Sequence, residues 1–221
     1  MGAEQGVMTP CSKPVRRAQY FYEKSFNYKF MKRKLFLGID IDSHLKKMLD
    51  QIVKKNDENL PIKWYRKESY HITLIFLGWV DEDLVIELSE KFRQACAEFS
   101  SFDIQFEKIK LAYKNNTQEN NPCDAKMIWL EGKASEELKE LQKMLEESLD
   151  IHYIDKKSFR PHVTLGRMRA KQWAKLEKFP NLEKDFEVSM DVMSITLFES
   201  GSKEGSPDYT PIDVFELGDF E

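Results

Sequence analysis

The sequence predicts an α+β fold, and three observations carry that expectation. Strand-like apolar segments and amphipathic helical segments interleave along most of the 221 residues. The C-terminal part holds two strand-like stretches joined by a loop rather than a helix, so a uniformly wound parallel sheet is not expected. Neither GxGxxG nor GxxxxGK followed by Ser or Thr occurs, which removes the nucleotide-cofactor folds that the same interleaving would otherwise suggest.

Taken in order, residues 34–41 (KLFLGIDI) are apolar between charges and read as a buried strand. Asp42 or Ser43 can cap the next helix, whose inner face is Leu45, Leu49, Ile52 and Val53. Pro61 ends a linker before a short extended piece over 62–65. Residues 70–77 (YHITLIFL) are dense in β-branched and aromatic types and form a strand closed by Gly78. Asp81 is placed as the cap of a helix over 82–99, with Leu84, Leu88, Phe92, Cys96 and Phe99 on one face. Strands are expected over 102–111 and 126–130, separated by the polar loop 115–122. Ser135 can cap a helix to about Leu149, with Glu136 and Glu137 in the first turn, where negative charge meets the positive end of the helix dipole. A strand over 159–167, a short helix near 172–178 and a closing hairpin of 186–199 with 209–217 complete the reading.

Composition narrows the function. With 41% hydrophobic and 33% charged residues the chain can bury a core, and no apolar run approaches the roughly 20 residues that span a membrane. Three scattered cysteines, Cys11, Cys96 and Cys123, fit free thiols in a reducing cytoplasm better than a disulfide framework. A formal charge of −4 argues against a partner that is a long nucleic acid duplex. Residues 1–30 are rich in Tyr, Phe and basic residues and have no assigned role; the domain is expected to occupy 31–221.

One pattern occurs twice, His71-Ile72-Thr73-Leu74 and His162-Val163-Thr164-Leu165, each inside an expected strand. Alternation puts His71 with Thr73, and His162 with Thr164, on one face of its strand. Ile72, Leu74, Val163 and Leu165 point into a core. Two imidazoles suit proton transfer near neutral pH, and Thr hydroxyls can donate to phosphoryl oxygens. Arg160, Arg167, Arg169 and Lys171 surround the second copy and suit phosphate. Strict alternation, however, puts Arg167 on the face away from His162, so it reaches the site only if the strand bends after Gly166. No metal is expected, because zinc needs three or four ligands and the remaining His44 and His152 have no partner at ligand spacing. Trp64, Tyr65 and Tyr70 precede the first motif and are the candidates for stacking on a base.

Residues 70–78 (YHITLIFLG) and 160–167 (RPHVTLGR) resemble the paired signatures of the 2H phosphoesterase superfamily, closest to its RNA 2′,3′-cyclic phosphodiesterase branch, historically called 2′-5′ RNA ligase. The resemblance runs from about Met31 to the C-terminus and includes LFLGIDI and Tyr209-Thr210-Pro211. It implies a bilobal fold of two pseudo-symmetric lobes whose antiparallel sheets flank a central cleft. It implies metal-free opening of the 2′,3′-cyclic phosphate of an RNA end to a 2′-phosphate; the chain is expected to be a monomer without cofactor that acts on RNA ends or small cyclic-phosphate nucleotides. The resemblance further implies His71 as proton donor to the 3′-oxygen, His162 as the base on water, Thr73 and Thr164 as phosphate ligands, and a reverse reaction that can join RNA ends. Two alternatives stay open: a module that binds RNA ends with little turnover, and a phosphodiesterase for another cyclic or 2′-5′ linked nucleotide.

Overall fold

The computed structural model describes residues 31–56, 60–113, 121–149 and 159–218. These residues form strands β1 (Lys32–Asp40), β2 (Ile62–Trp64), β3 (His71–Asp81), β4 (Phe102–Tyr113), β5 (Ala125–Gly132), β6 (His162–Met168), β7 (Lys184–Val192), β8 (Ser194–Lys203) and β9 (Ser206–Glu216). The helices are α1 (Ser43–Asn56), α2 (Val85–Ala97), α3 (Glu136–Glu147) and the single turn α4 (Ala170–Trp173). Cys11 and His152 lie outside the described residues.

All nine strands join one antiparallel sheet in the order β7-β4-β5-β6-β3-β1-β8-β9, with β2 added to β6. The two expected lobes are therefore two four-stranded halves of a continuous sheet. They meet at β3 and β6 through the single pairing Ile72↔Val163. The halves repeat one plan. β1, α1 and β3 in the first correspond to β5, α3 and β6 in the second, and each closing strand opens on a His-x-Thr.

Local chemistry explains these elements. The Asp42 carboxylate accepts from the backbone N–H of His44 (2.7 Å) and Leu45 (2.9 Å), which caps α1. Ser135 Oγ accepts from Leu138 N (3.2 Å) at the start of α3. Leu45, Leu49 and Val53 of α1 and Leu138, Leu141 and Leu145 of α3 are buried at helical spacing against sheet residues such as Leu37, Ile72 and Val163.

Three expectations are corrected. Asp81 makes no side-chain cap; residues Glu82–Leu84 form a 3₁₀ turn before α2, and Leu84 is exposed while Val85 takes the inner position. The helix expected near 172–178 is one turn placed earlier, at Ala170–Trp173. The stretch 186–199 is two strands broken at the exposed Met193: β7 pairs β4 at one edge of the sheet, and β8 lies between β1 and β9 near the other. A single residue joins these distant positions in the strand order, so the sheet must curl until its ends approach. The closing hairpin is then β8–β9, turning at Glu204 (φ 52°) and Gly205 (φ 73°). A two-residue loop with both φ values positive matches the twist of the flanking strands.

Candidate active site

The site is built where the halves meet. Ile72 and Val163 pair across β3 and β6 and are almost fully buried, so the flanking His71, Thr73, His162 and Thr164 face the opposite, accessible side. Continuing that antiparallel register by one residue brings His71 toward Thr164 and Thr73 toward His162, a quartet with pseudo-twofold symmetry. The two imidazoles are held alike. His71 Nδ1 donates to Ser69 O at 2.9 Å, and His162 Nδ1 donates to Arg160 O at 2.8 Å. A carbonyl can only accept, so each neutral ring carries its proton on Nδ1 and presents Nε2 as the free base. His71 Nε2 accepts from Thr73 Oγ1 at 3.1 Å.

Each motif strand is then interrupted by an extra residue at the same place. In the β1–β3 ladder Gly38 pairs Thr73 but Leu37 pairs Ile75, leaving Leu74 as a bulge. In the β5–β6 ladder Trp129 pairs Thr164 but Ile128 pairs Gly166, leaving Leu165 as a bulge. A bulge reverses the alternation beyond it. Arg167 consequently comes to the face of His162, exposed, while Met168 turns into the core. In the first half the same device exposes Phe76, 63% accessible, at the position equivalent to Arg167. Gly38 and Gly166 fit these irregular stretches because they lack a Cβ. One on Gly38 would stand 2.7 Å from Ile72 O, and one on Gly166 would stand 2.9 Å from both Ile62 Cγ2 and Trp64 Cε3.

The surroundings of the two rings differ. His71 sits among Phe36 (4.8 Å between ring centroids), Tyr209 (4.6 Å, edge-on) and Phe198 (5.7 Å). Burial pushes its pKa down to about 4, against the opposing pull of its bond to Ser69 O, and the charge of His162 lowers it further. His162 stacks on Trp129 at 3.8 Å, and burial lowers its pKa too. Each His faces a carboxylate in the adjoining strand, Asp40 opposite His71 and Glu131 opposite His162, and each carboxylate favours the imidazolium. Each is moderated by a lysine, Lys46 on Asp40 (2.7 Å) and Lys110 on Glu131 (2.8 Å). The arrangement can therefore pass protons through two Nε2 atoms beside two hydroxyls and a guanidinium, which suits a phosphate ester.

A family model for the 2′-5′ RNA ligase superfamily matches residues 42–204, well over half of the chain and both His-x-Thr strands. The chain belongs to the 2′-5′ RNA ligase superfamily. Among curated proteins it is 24% identical to an RNA 2′,3′-cyclic phosphodiesterase of Archaeoglobus fulgidus, over 83% of this chain and 99% of that one. Proteins of the same name from Bacillus subtilis and Methanocaldococcus jannaschii are 28% identical (82% and 95% covered) and 29% identical (81% and 98% covered). Among solved structures, a Thermus thermophilus protein matches with a TM-score of 0.67 at 21% identity, covering 86% of this chain and 100% of the other. Escherichia coli LigT in complex with 3′-AMP matches with a TM-score of 0.65 at 20% identity, covering 85% and 99%. These structural likenesses show the fold.

For this superfamily member, the structure brings together His71, Thr73, His162, Thr164 and Arg167. It does not bring Tyr70 to the site: the ring is 1% exposed and its hydroxyl donates to Tyr65 O at 3.3 Å, so no face is open to a base. Trp64 is half-buried against Gly166, with Nε1 enclosed, and serves packing. Tyr65 is half-buried close enough to Arg167 to feel its charge. Sequence reasoning missed Phe76, Phe36, Phe198, Tyr209 and Trp129. The adjacent apolar pair Leu74–Ile75 breaks strict alternation and was the available sign that Phe76 would face the motif side. His44 is exposed on α1. Among the described residues no group of three His, Cys, Asp or Glu side chains is placed to hold a metal ion, and no helix is long and apolar enough to cross a membrane.

Proposed function

We propose that this chain hydrolyses the 2′,3′-cyclic phosphate at RNA ends to a 2′-phosphate. The observation that carries the reading is the matched tautomer of two imidazoles on one face of the sheet, with His71 Nε2 bonded to the Thr73 hydroxyl. The names of the curated relatives support the same substrate class. His162 Nε2 takes a proton from water as its oxygen attacks phosphorus. The P–O3′ bond breaks, and His71, protonated in the complex, gives its proton to O3′. Phosphorus remains on O2′. The negative phosphate favours the imidazolium that burial disfavours, which resolves how a ring with so low a pKa can act as an acid. Thr73, Thr164 and Arg167 stabilise the non-bridging oxygens. The exposed ring of Phe76 offers the terminal base a stacking face, in place of Trp64 and Tyr70. With an RNA 5′-hydroxyl instead of water, the same transfers form a 2′-5′ linkage.

The test is incubation of the purified chain with a 2′,3′-cyclic nucleotide in EDTA, with the product resolved by position. A 2′-monophosphate is expected. No product, a 3′-monophosphate, or a strict requirement for added metal would overturn the proposal.

A further inference from the structure

Beside His71 the sheet opens into a cavity of about 380 Å³, within the range of small-molecule sites. One wall is apolar and comes from β8 and β9: Phe198, Tyr209 and Pro211. This wall continues a cross-strand row, since Phe36 is in register with both Phe76 and Phe198, and Phe198 with Pro211. The row leads from the exposed Phe76 past His71 to the cavity. The polar lining carries three lysines, Lys46, Lys47 and Lys67, and two carboxylates, Asp40 and Glu68. Lys46 is committed to Asp40, whereas Lys47 and Lys67 are exposed and have no ion-pair partner among the described residues.

The loops beside the cavity are bound to one another. The end of the β8–β9 hairpin is tied to the segment before β3 at three points: Lys63 Nζ to Gly205 O, Arg66 to Asp208 (2.7 Å), and Ser69 Oγ to Pro207 O (3.1 Å). These contacts hold in place the two segments that bring Tyr209, Lys67 and Glu68 to the cavity.

We infer that this cavity is a subsite for the nucleotide that precedes the reacting end, so that the preferred substrate is an oligonucleotide and not a mononucleotide. The inference rests on the cyclic-phosphate reading above. A cyclic mononucleotide has one phosphate, and it is the reacting one, held by the two Thr hydroxyls and Arg167. Two uncommitted lysines in the neighbouring cavity have no counterpart in such a substrate. They match the next phosphate of the strand, and the Tyr209–Pro211 wall takes the preceding base. A cationic groove lined by aromatic faces is the usual means of holding single strands. The Glu68 carboxylate can accept from a ribose 2′-hydroxyl, the group that separates RNA from DNA.

The test compares kcat/KM for a 2′,3′-cyclic mononucleotide with that for a dinucleotide ending in the same cyclic phosphate, in the unmodified chain and in the variant K47A/K67A. The unmodified chain should prefer the dinucleotide by about tenfold, a typical yield for a charge-assisted phosphate contact, and the variant should lose most of that preference. The log–log salt slope for the dinucleotide should be steeper by about 0.7 per phosphate neutralised, and the variant should lose this increment. A preference that the variant keeps, or no preference at all, overturns the subsite. Hydrolysis of neither substrate by the unmodified chain overturns the cyclic-phosphate reading and the subsite with it.

Discussion

In the free chain a backbone carbonyl holds Nδ1 of His71 and of His162, which leaves Nε2 of each ring for the proposed proton transfers. Replacing either ring with alanine removes one proton transfer. H71A and H162A should each lower kcat by about 10²–10⁴-fold, measured as release of the 2′-phosphate, with the fold verified by circular dichroism. Full activity in either variant would refute its role. In the proposed reaction Arg167 is the charged donor to the phosphate, so R167A should cost about 10²–10³-fold, and R167K should recover only part because ammonium cannot make the forked contact. Equal rates for R167K and the unmodified chain would argue against a bidentate role. The low pKa values also set a pH profile. In the free chain burial lowers both pKa values, that of His71 to about 4, while the reaction needs one proton on the pair. The competent fraction therefore shrinks as pH rises above those values. The kcat/KM profile should fall from about pH 6.5 to about pH 8 toward a slope of about −1, whereas kcat, which reports the complex, should fall less. A kcat/KM that rises with pH over that interval would show that the reaction needs no proton on the pair and would refute general-acid catalysis by either ring.

At the level of the element, the two bulges matter more than the strands that contain them. They turn Arg167 and Phe76 onto the motif face, and glycine permits the close approach of neighbouring backbone. G38A would set a Cβ 2.7 Å from Ile72 O, a backbone atom in a central strand that cannot swing aside. It should destabilise the chain by about 1–3 kcal/mol, read in denaturant titration, and lower kcat because Gly38 faces Thr73 in the ladder. An unchanged midpoint and rate would show that β1 and β3 can separate without cost. The same elements explain what the sequence made legible. Period-two alternation correctly joined His71 with Thr73 and buried Ile72 and Val163, because it needs only the pleat. It misplaced Arg167, because an inserted residue leaves no mark except a doubled buried pair, Leu74–Ile75 or Leu165–Gly166. The break at Met193 was hidden for a related reason: β7 and β8 are both strand-like, and only their partners, far apart in the sheet order, separate them. Tyr70 and Trp64 were candidates for base stacking from their place before the first motif, yet tertiary contacts turn both to packing, Tyr70 through its bond to Tyr65 O and Trp64 against Gly166.

Across the whole molecule, placing two imidazoles in one desolvated cleft links activity to stability. Burial holds the folded pKa of His71 at about 4, against about 6.5 in an unfolded chain, and lowers that of His162 in the same direction. Between those limits the unfolded state binds more protons than the folded one, so acid favours unfolding. The stability is fully present above about pH 6.5 and is lost as pH falls toward the folded pKa, at up to about 1.4 kcal/mol per pH unit for each ring. Surface carboxylates act in a separate, lower window. Glu199, whose pKa its hydrogen bond with Arg33 lowers, loses its contribution only below the ordinary carboxylate range, and solvent screening keeps that contribution small. The melting temperature should therefore climb from about pH 4.5 to about pH 6.5 and then level off. The double variant H71Q/H162Q, which keeps polar side chains of similar reach but cannot titrate, should show a much flatter climb. Parallel curves for the two proteins would mean that the rings are not held neutral by burial, and the acidic fall of stability would then have to come from the carboxylates alone.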